Sequence, residues 1–310
     1  MLLGKIILMG KNLRGYVCLA EMLRIGYRPW VIEQENNNAS QGSIKGLAKS
    51  ENLQFNSVRN INDQSFVSKV EQWEPDLIVL AGFNQILRKT ILNVPKFGVI
   101  NLHGGKLPHY RGGSPINWQI INGETEGACT VLYADEGIDT GDILAEECYD
   151  IGFGDTAGVI YEKTKSIFPR LLRNVLKDFE TDDLVPKKQD LTKGTYYCKR
   201  YPKDGLIDWR TMNAQEIHNL VRGLNGHSLD GAFTYLNGKK IVLCETGLLE
   251  HPTFKGPPGR IVLKQENGVV AIAKDIGLLI KEISIVDCKD KLNANDYFKI
   301  DGSSFYVEKL

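Results

Sequence analysis

The first hundred residues alternate short apolar runs with amphipathic stretches. Lys5-Ile6-Ile7-Leu8-Met9 is an apolar run that ends at Gly10. After Gly15 the apolar positions Val17, Leu19, Ala20, Met22 and Leu23 recur at helical spacing until Gly26. Residues Pro29 to Ile32 read as a second strand and Leu53 to Val58 as a third. Ile44 to Ala48 starts a helix, and Asp63 is placed to cap another that carries Phe66, Val67 and Val70. Asp76-Leu77-Ile78-Val79-Leu80 and Gly98-Val99-Ile100-Asn101-Leu102 have the apolar character of buried strands. Strand and helix in alternation predict an α/β, Rossmann-like unit: a mostly parallel sheet with helices on both faces. Ligands of such sheets bind beyond the carboxyl ends of the strands, and Asn101 and His103 fall at such an end.

The pattern changes in the second half. Cys129 to Tyr133 and Ile143 to Tyr149 read as strands on either side of a loop, Asp135 to Asp142. Thr156 opens a long helix through Ile160, Ile167, Leu171, Leu172 and Val175, which Pro169 is expected to kink or to divide in two. Residues 186–204 are polar and strand-poor and read as an exposed connector. Asn213-Ala214-Gln215-Glu216 has the form of a capping box ahead of Ile217, Leu220, Val221 and Leu224. Short strand signals follow at Ala232–Leu236, Lys240–Cys244, Arg260–Leu263, Val269–Ala273 and Leu278–Ile283, with turns at Asn237-Gly238 and Asn267-Gly268. Such spacing fits a small β-barrel. The expected division is therefore a catalytic part over residues 1–204 and a smaller β-rich part over 205–310.

Composition narrows the functional classes. A chain of 310 residues can bury two cores. Lys and Arg together number 38, as do Asp and Glu, so the net charge is zero, which argues against a long nucleic-acid partner. The six cysteines are scattered without a CxxC pair and read as reduced, mostly buried thiols. The five histidines form no ligand pattern, so no metal is expected. No apolar run approaches the ~20 residues that span a bilayer, and the start reads as a strand rather than a signal peptide, so a cytoplasmic location without a membrane partner is expected. Gly10 and Gly15 do not complete a dinucleotide fingerprint.

The chemistry concentrates between Asn101 and Asp142. Asn101 and His103, two positions apart on a strand, point to one face. A donating amide, a proton-moving imidazole and an orienting carboxylate are what acyl transfer requires. The carboxylate is Asp139, in Gly137-Ile138-Asp139-Thr140-Gly141-Asp142, where glycines permit tight turns. Its alternative role is to stabilise the turn. Spacing alone does not bring it to His103.

Three linked motifs carry a resemblance: Asn101-Leu102-His103, then Leu107-Pro108-His109-Tyr110-Arg111-Gly112, then Asp139-Thr140-Gly141-Asp142-Ile143. In this order and spacing the chain resembles the formyltransferase family that uses N10-formyltetrahydrofolate. Pro115-Ile116-Asn117-Trp118, Asn122-Gly123-Glu124-Thr125, Asp204 to Trp209, His218 to Arg222 and Gly231-Ala232-Phe233-Thr234 extend the likeness over nearly the whole chain. The resemblance implies a Rossmann-like catalytic domain followed by an OB-like barrel. It implies Asn101, His103 and Asp139 as the catalytic trio, with Asp139 raising the imidazole pKa. It implies folate contacts from Phe83, Gln85, Ile86 and Leu87 on one side and Asp135, Glu136, Gly137 and Ile138 on the other, with core packing the alternative for Leu87.

The acceptor is read from departures. The family often has Ser-Leu where this chain has Gly105-Lys106, so Gly105 is expected to admit an acceptor close to the backbone. Lys106, Tyr110, Arg111 and Trp118 are candidates to grip a sugar nucleotide, with a structural role the alternative for Arg111. The basic insertion of the methionyl-tRNA enzymes corresponds to Asn36–Lys45, which holds only one basic residue, Lys45. The Gly-x-Ile-Asp-Trp motif at Gly205–Trp209 resembles the sugar enzymes. The expected acceptor is thus a nucleotide-linked amino sugar, formylated for a cell-surface glycan. Methionyl-tRNA formyltransferase is the alternative, and a formyltetrahydrofolate hydrolase stands behind it. A homodimer is the assembly to expect.

Overall fold

A computed structural model describes residues 3–35, 44–226, 231–285 and 291–305. The polar loop expected from Asn36 to Gly42 and the thiol of Cys288 lie outside the described residues. In chain order the elements are β1 (Ile6–Gly10), α1 (Asn12–Arg24), β2 (Trp30–Gln34), α2 (Ile44–Ser50), β3 (Phe55–Val58), α3 (Gln64–Trp73), β4 (Leu77–Ala81), α4 (Lys89–Leu92), β5 (Val99–His103) and β6 (Arg111–Gly112). Then come α5 (Pro115–Ile121), β7 (Glu126–Tyr133), β8 (Ile143–Asp150), α6 (Ala157–Thr181), β9 (Tyr196–Tyr197) and α7 (Ala214–Leu224). The last are β10 (Ala232–Leu236), β11 (Lys239–Leu248), β12 (Ile261–Gln265), β13 (Gly268–Ile272), β14 (Gly277–Ile285), β15 (Leu292–Asn293) and α8 (Ala294–Tyr297).

Contacts divide the chain into two compact units. The first holds residues 1–115, 127–149 and 162–197, and the second holds 116–126, 150–161 and 198–310. No single cut of the chain produces this division, because two internal stretches join the C-terminal unit.

In the first unit a seven-stranded sheet runs in the order β3-β2-β1-β4-β5-β7-β8. The pairs among β1 to β5 are parallel, and β7 runs antiparallel to β5. Ile7, Met9, Ile32, Val67, Val70, Ile78 and Ile91 are buried in its core, as their periodic spacing predicts. A Cβ on Gly15 would lie 3.0 Å from the carbonyl carbon of Gly10, so this glycine pair lets α1 start close against the end of β1. Asp63 holds the N-cap position of α3, but its side chain caps nothing and instead accepts from Asn60 Nδ2 at 2.6 Å. Helix α6 runs through Pro169 as one element of 25 residues. Burial of Ile167, Phe168, Leu171 and Leu172 around the proline outweighs one missing backbone hydrogen bond.

In the second unit the ladder follows the order β10-β11-β14-β13-β12, with β15 on β14. All pairings are antiparallel. The expected capping box forms: Asn213 accepts from the Glu216 N–H at 2.8 Å, and Glu216 accepts from the Asn213 N–H at 2.7 Å. Apolar residues of α7, including Ile217, Leu220, Val221 and Leu224, pack in one core with Ile241, Leu243, Leu278 and Ile280.

Among the described residues no helix is long and apolar enough to cross a membrane. The five described cysteines are free thiols. Cys18 and Cys129 are buried, and burial pushes both thiols up to about 12. Cys148 and Cys198 are exposed, so the expected burial holds for only part of the set.

Candidate active site

Strand β5 ends at Asn101 and His103, opposite Leu132 and Thr130 of β7. The loop after β7 returns Asp139 to both. Asn101 Nδ2 donates to Asp139 Oδ1 at 3.0 Å, and His103 Nδ1 lies 3.4 Å from Asp139 Oδ2. The backbone N–H of Gly112 also donates to Asp139 Oδ2, at 2.9 Å. The three side chains singled out by chemistry are thus within hydrogen-bonding or ion-pair distance of one another, although 38 positions separate Asn101 from Asp139. Asp139 adopts φ +54°, the left-handed region that an aspartate tolerates better than most residues.

The imidazole is only 4% exposed. Its Nε2 is 2.7 Å from the Tyr110 carbonyl oxygen, which can only accept, so Nε2 carries the proton. Both ring nitrogens therefore face acceptors, an arrangement suited to the doubly protonated ring. Burial nevertheless pushes the His103 pKa below the usual histidine value, against the upward pull of Asp139 and the Tyr110 carbonyl. The Arg14 guanidinium lowers it further. Asp139 thus raises the imidazole pKa as expected, but desolvation outweighs it. The shift favours the neutral ring over the imidazolium, with Nδ1 the nitrogen that gives up its proton.

Gly105 is buried against this ring. A Cβ there would lie 2.7 Å from His103 Nε2 and 2.7 Å from the Tyr110 carbonyl oxygen. Thr130 Oγ1 fixes the segment by donating to the Gly105 carbonyl at 2.9 Å. The space next to Gly105 is thus filled by the imidazole and its acceptor. The glycine thus accommodates the ring and the carbonyl that holds it. Gly105→Ala should drive the ring off Tyr110 and lower kcat roughly tenfold or more with the fold intact, the scale set by general acid–base contributions. Steady-state kinetics beside a melting curve checks this, and an unchanged kcat would contradict it.

Arg111 is also not free to grip a phosphate. It is 1% exposed, and its Nε and Nη2 donate to Gln189 Oε1 at 3.3 and 3.0 Å. Its guanidinium lies 5.3 Å from the centre of the Tyr196 ring. Tyr110 is buried and stacks on Tyr197 at 4.8 Å, while Lys106 is half-buried. Trp118 belongs to the second unit, where its indole N–H donates to the Cys198 carbonyl at 2.8 Å and Arg200 covers its ring. Of Gly105, Lys106, Tyr110 and Arg111 in the first unit, only Lys106 is not buried.

The two segments read as folate contacts are placed differently. Leu87 is 4% exposed and packs in the sheet core, as its alternative reading held. Gln85 ties its loop to the one before α3, accepting from Ile61 N–H at 2.8 Å and donating to the Arg59 carbonyl at 3.1 Å. Phe83 packs partly buried against the same core. Ile86 is 68% exposed. On the other loop, Asp135 Oδ1 accepts from Gly137 N–H and from Thr140 Oγ1, Glu136 pairs with Lys89 at 2.6 Å, and Ile138 is exposed. Ile86 and Ile138 are thus exposed apolar side chains on these two loops. β4, which leads into the first loop, lies beside β5 with Leu80 opposite Asn101. The second loop carries Asp139 itself.

Comparison with known proteins decides the family. The model for the formyl transferase family matches residues 31–176, and the model for its C-terminal domain matches residues 200–302. The chain belongs to the formyl transferase family. Members of this family draw the formyl group from N10-formyltetrahydrofolate, and this formyl transferase is an enzyme of that type. It is 31% identical over 303 residues to the methionyl-tRNA formyltransferase of Ruminiclostridium cellulolyticum, covering 95% of this chain and 96% of the relative. It is 34% identical over 255 residues to the enzyme of the same name from Acetivibrio thermocellus, covering 82% and 80%. The fold of a sugar 3N-formyl transferase, crystallised with dTDP and 5-N-formyl-THF, superposes with a TM-score of 0.67 at 21% identity over 91% of this formyl transferase and 98% of that chain.

Sequence reasoning missed one participant. Gln189 lies in the segment read as an exposed connector, and its amide NH2 donates to the carbonyls of Asp139 and Gly141 at 3.0 and 2.7 Å. No periodicity or motif marks it.

Proposed function

We propose that this formyl transferase transfers the formyl group of N10-formyltetrahydrofolate to the α-amino group of methionyl-tRNA. The observation that carries this reading is the end-to-end match with methionyl-tRNA formyltransferases, over 95% of this chain and 96% of the relative. The reaction belongs in the cytoplasm, where charged tRNA is used.

In this reading the donor supplies an activated one-carbon acyl group at the reduced pterin. The chain's residues supply orientation and proton transfer. The amine nitrogen bonds to the formyl carbon, the bond from that carbon to N10 breaks, the amine loses one proton and N10 gains one. The Asn101 amide carries two hydrogens, of which Asp139 takes one. The other is available to the negative charge that develops on the formyl oxygen. In the neutral ring His103 Nδ1 takes the amine proton, and Asp139 Oδ2 stabilises the imidazolium that results. Ile86 and Ile138 flank the pterin.

A second reading has support of its own. Zero net charge and the single basic residue in Asn36–Lys45 favour a small acceptor, a nucleotide-linked amino sugar, over tRNA. One experiment separates the two. The purified protein is given N10-formyltetrahydrofolate with methionyl-tRNA, with a panel of amino-sugar nucleotides, or with no amine, and formyl adducts are read by mass spectrometry. Formyl-methionyl-tRNA formed without formylated sugar supports the first reading. Formylated sugar with untouched methionyl-tRNA overturns it in favour of the second. Donor consumption without an amine points to the hydrolase.

A further inference from the structure

The segment from Lys187 to Tyr197 is not a bare connector but is laid along the catalytic loops. Lys187 pairs antiparallel with Ile143 through two backbone hydrogen bonds of 2.8 Å. Thr195 Oγ1 accepts from the Tyr110 N–H at 3.1 Å, and the Thr195 carbonyl accepts from the Arg111 N–H at 3.0 Å. β6 and β9 pair in parallel, with Arg111 opposite Tyr196 and Gly112 opposite Tyr197. Gln189 stands between these anchors.

We propose that Gln189 is a positioning residue for catalysis, which holds Asp139 in its left-handed conformation and so fixes the carboxylate on Asn101, His103 and Gly112. This rests on the reading of Asp139 as part of the catalytic trio. Three observations carry it. Asp139 sits at φ +54°, where a non-glycine residue needs outside support. Gln189 Nε2 supplies that support from both sides of the turn, through the carbonyls of Asp139 and Gly141. The orientation of the amide is dictated by its neighbours: Arg111 can only donate, so Oε1 faces the guanidinium and Nε2 must face the carbonyls. Arg111, buried and resting against Tyr196, thereby anchors the amide that anchors the loop. Gly194 makes room for this, since a Cβ there would lie 2.3 Å from Arg111 Nη1.

The groups that face His103 are Asp139, the Tyr110 carbonyl and, at longer range, Arg14. Of these, Asp139 is bonded directly to Gln189, while the Tyr110 backbone is held by Thr195 Oγ1. Loss of the amide should therefore release the carboxylate while leaving the Tyr110 contact and the sheet intact.

The test is Gln189→Glu in the full chain. The carboxylate still accepts from Arg111, but it cannot donate to the two carbonyls and faces them with negative charge. The expected result is a kcat at least ~10-fold lower with the KM for N10-formyltetrahydrofolate changed less than about threefold, because the loss falls on the reaction step rather than on binding. Hydrogen exchange supplies a readout independent of activity. The Gly112 amide donates to Asp139 Oδ2 and should exchange at least ~10-fold faster in the variant, while amides of β1 and β4 exchange as in the wild type. Gln189→Met, similar in length without polar atoms, repeats the measurement if the charged variant does not fold; because it also takes the acceptor from Arg111, an Arg111 amide that exchanges as much faster as that of Gly112 would place the role of Gln189 on Arg111 and overturn the proposal. An unchanged kcat, or unchanged Gly112 exchange, in either folded variant overturns the proposal. If the wild type transfers formyl to no amine but Gly112 exchange still rises in the variants, Gln189 keeps its hold on Asp139 and the catalytic reading of Asp139 is what fails.

Discussion

His103→Ala and Asp139→Ala should each lower turnover by at least ~100-fold while the protein stays folded, because general acid–base contributions are of that size. The argument is geometric. His103 Nδ1 faces Asp139, and Nε2 is held by the Tyr110 carbonyl, so the ring has one orientation and, when neutral, one unprotonated nitrogen. Alanine at position 103 removes the proton acceptor outright. Alanine at position 139 removes the carboxylate that accepts from the Asn101 amide and the Gly112 N–H and that faces the imidazole, so two donors and the charged form of the ring lose their common anchor at once. Removing both side chains should cost little more than removing one, since groups that act as a unit are not additive. Single-turnover kinetics with saturating donor measures the effect directly, and circular dichroism shows that each variant keeps its fold. Turnover within about threefold of the wild type in either folded variant would end the assignment of the trio.

Trp209→Ala should destabilise the second unit by roughly 3–5 kcal/mol, the range for removing a large aromatic from a core. Trp209 is 1% exposed, stacks on Phe305 at 5.1 Å and donates its indole N–H to Thr234 Oγ1 at 3.0 Å. The residues around it hold a matching role. The Ile207 N–H donates to the Phe233 carbonyl at 2.8 Å, and a Cβ on Gly205 would lie 2.3 Å from the Gly231 carbonyl oxygen. The Gly-x-Ile-Asp-Trp motif is thus explained by how the second unit packs. Calorimetry of the full chain should show one transition displaced downward by roughly 12–20 °C, given ~4 °C per kcal/mol for a unit between the small and large domain ranges. A displacement under about 3 °C would mean that the indole adds little to the core.

The parallel sheet was legible because each strand there is an unbroken apolar run bounded by glycine or a polar loop, and burial on both faces demands that composition. The box at Asn213 and Glu216 was legible because reciprocal capping depends on residues only three positions apart. The trio was legible as chemistry, and Asn101 and His103 as neighbours on a strand. Asp139 was placed by resemblance alone, since no spacing rule reports the return path of a nine-residue loop. The surroundings of two acceptor candidates were not legible for a common reason. Arg111 and Gly105 have ordinary surface chemistry in the sequence, but their partners, Gln189 and His103, come from contacts that only the fold creates. Gln189 itself carried no signal, because a polar side chain in a polar stretch looks solvated until its partners are known.

The parallel pairing of Arg111-Gly112 with Tyr196-Tyr197 joins strands separated by about eighty-five residues of chain. During synthesis on the ribosome, the sheet strands from β1 to β5 emerge well before Tyr197 does. A nascent chain can therefore assemble much of its scaffold while the reactive geometry is still unbraced. The contacts that Lys187 to Tyr197 make with the catalytic loops can form only after that length has cleared the exit tunnel.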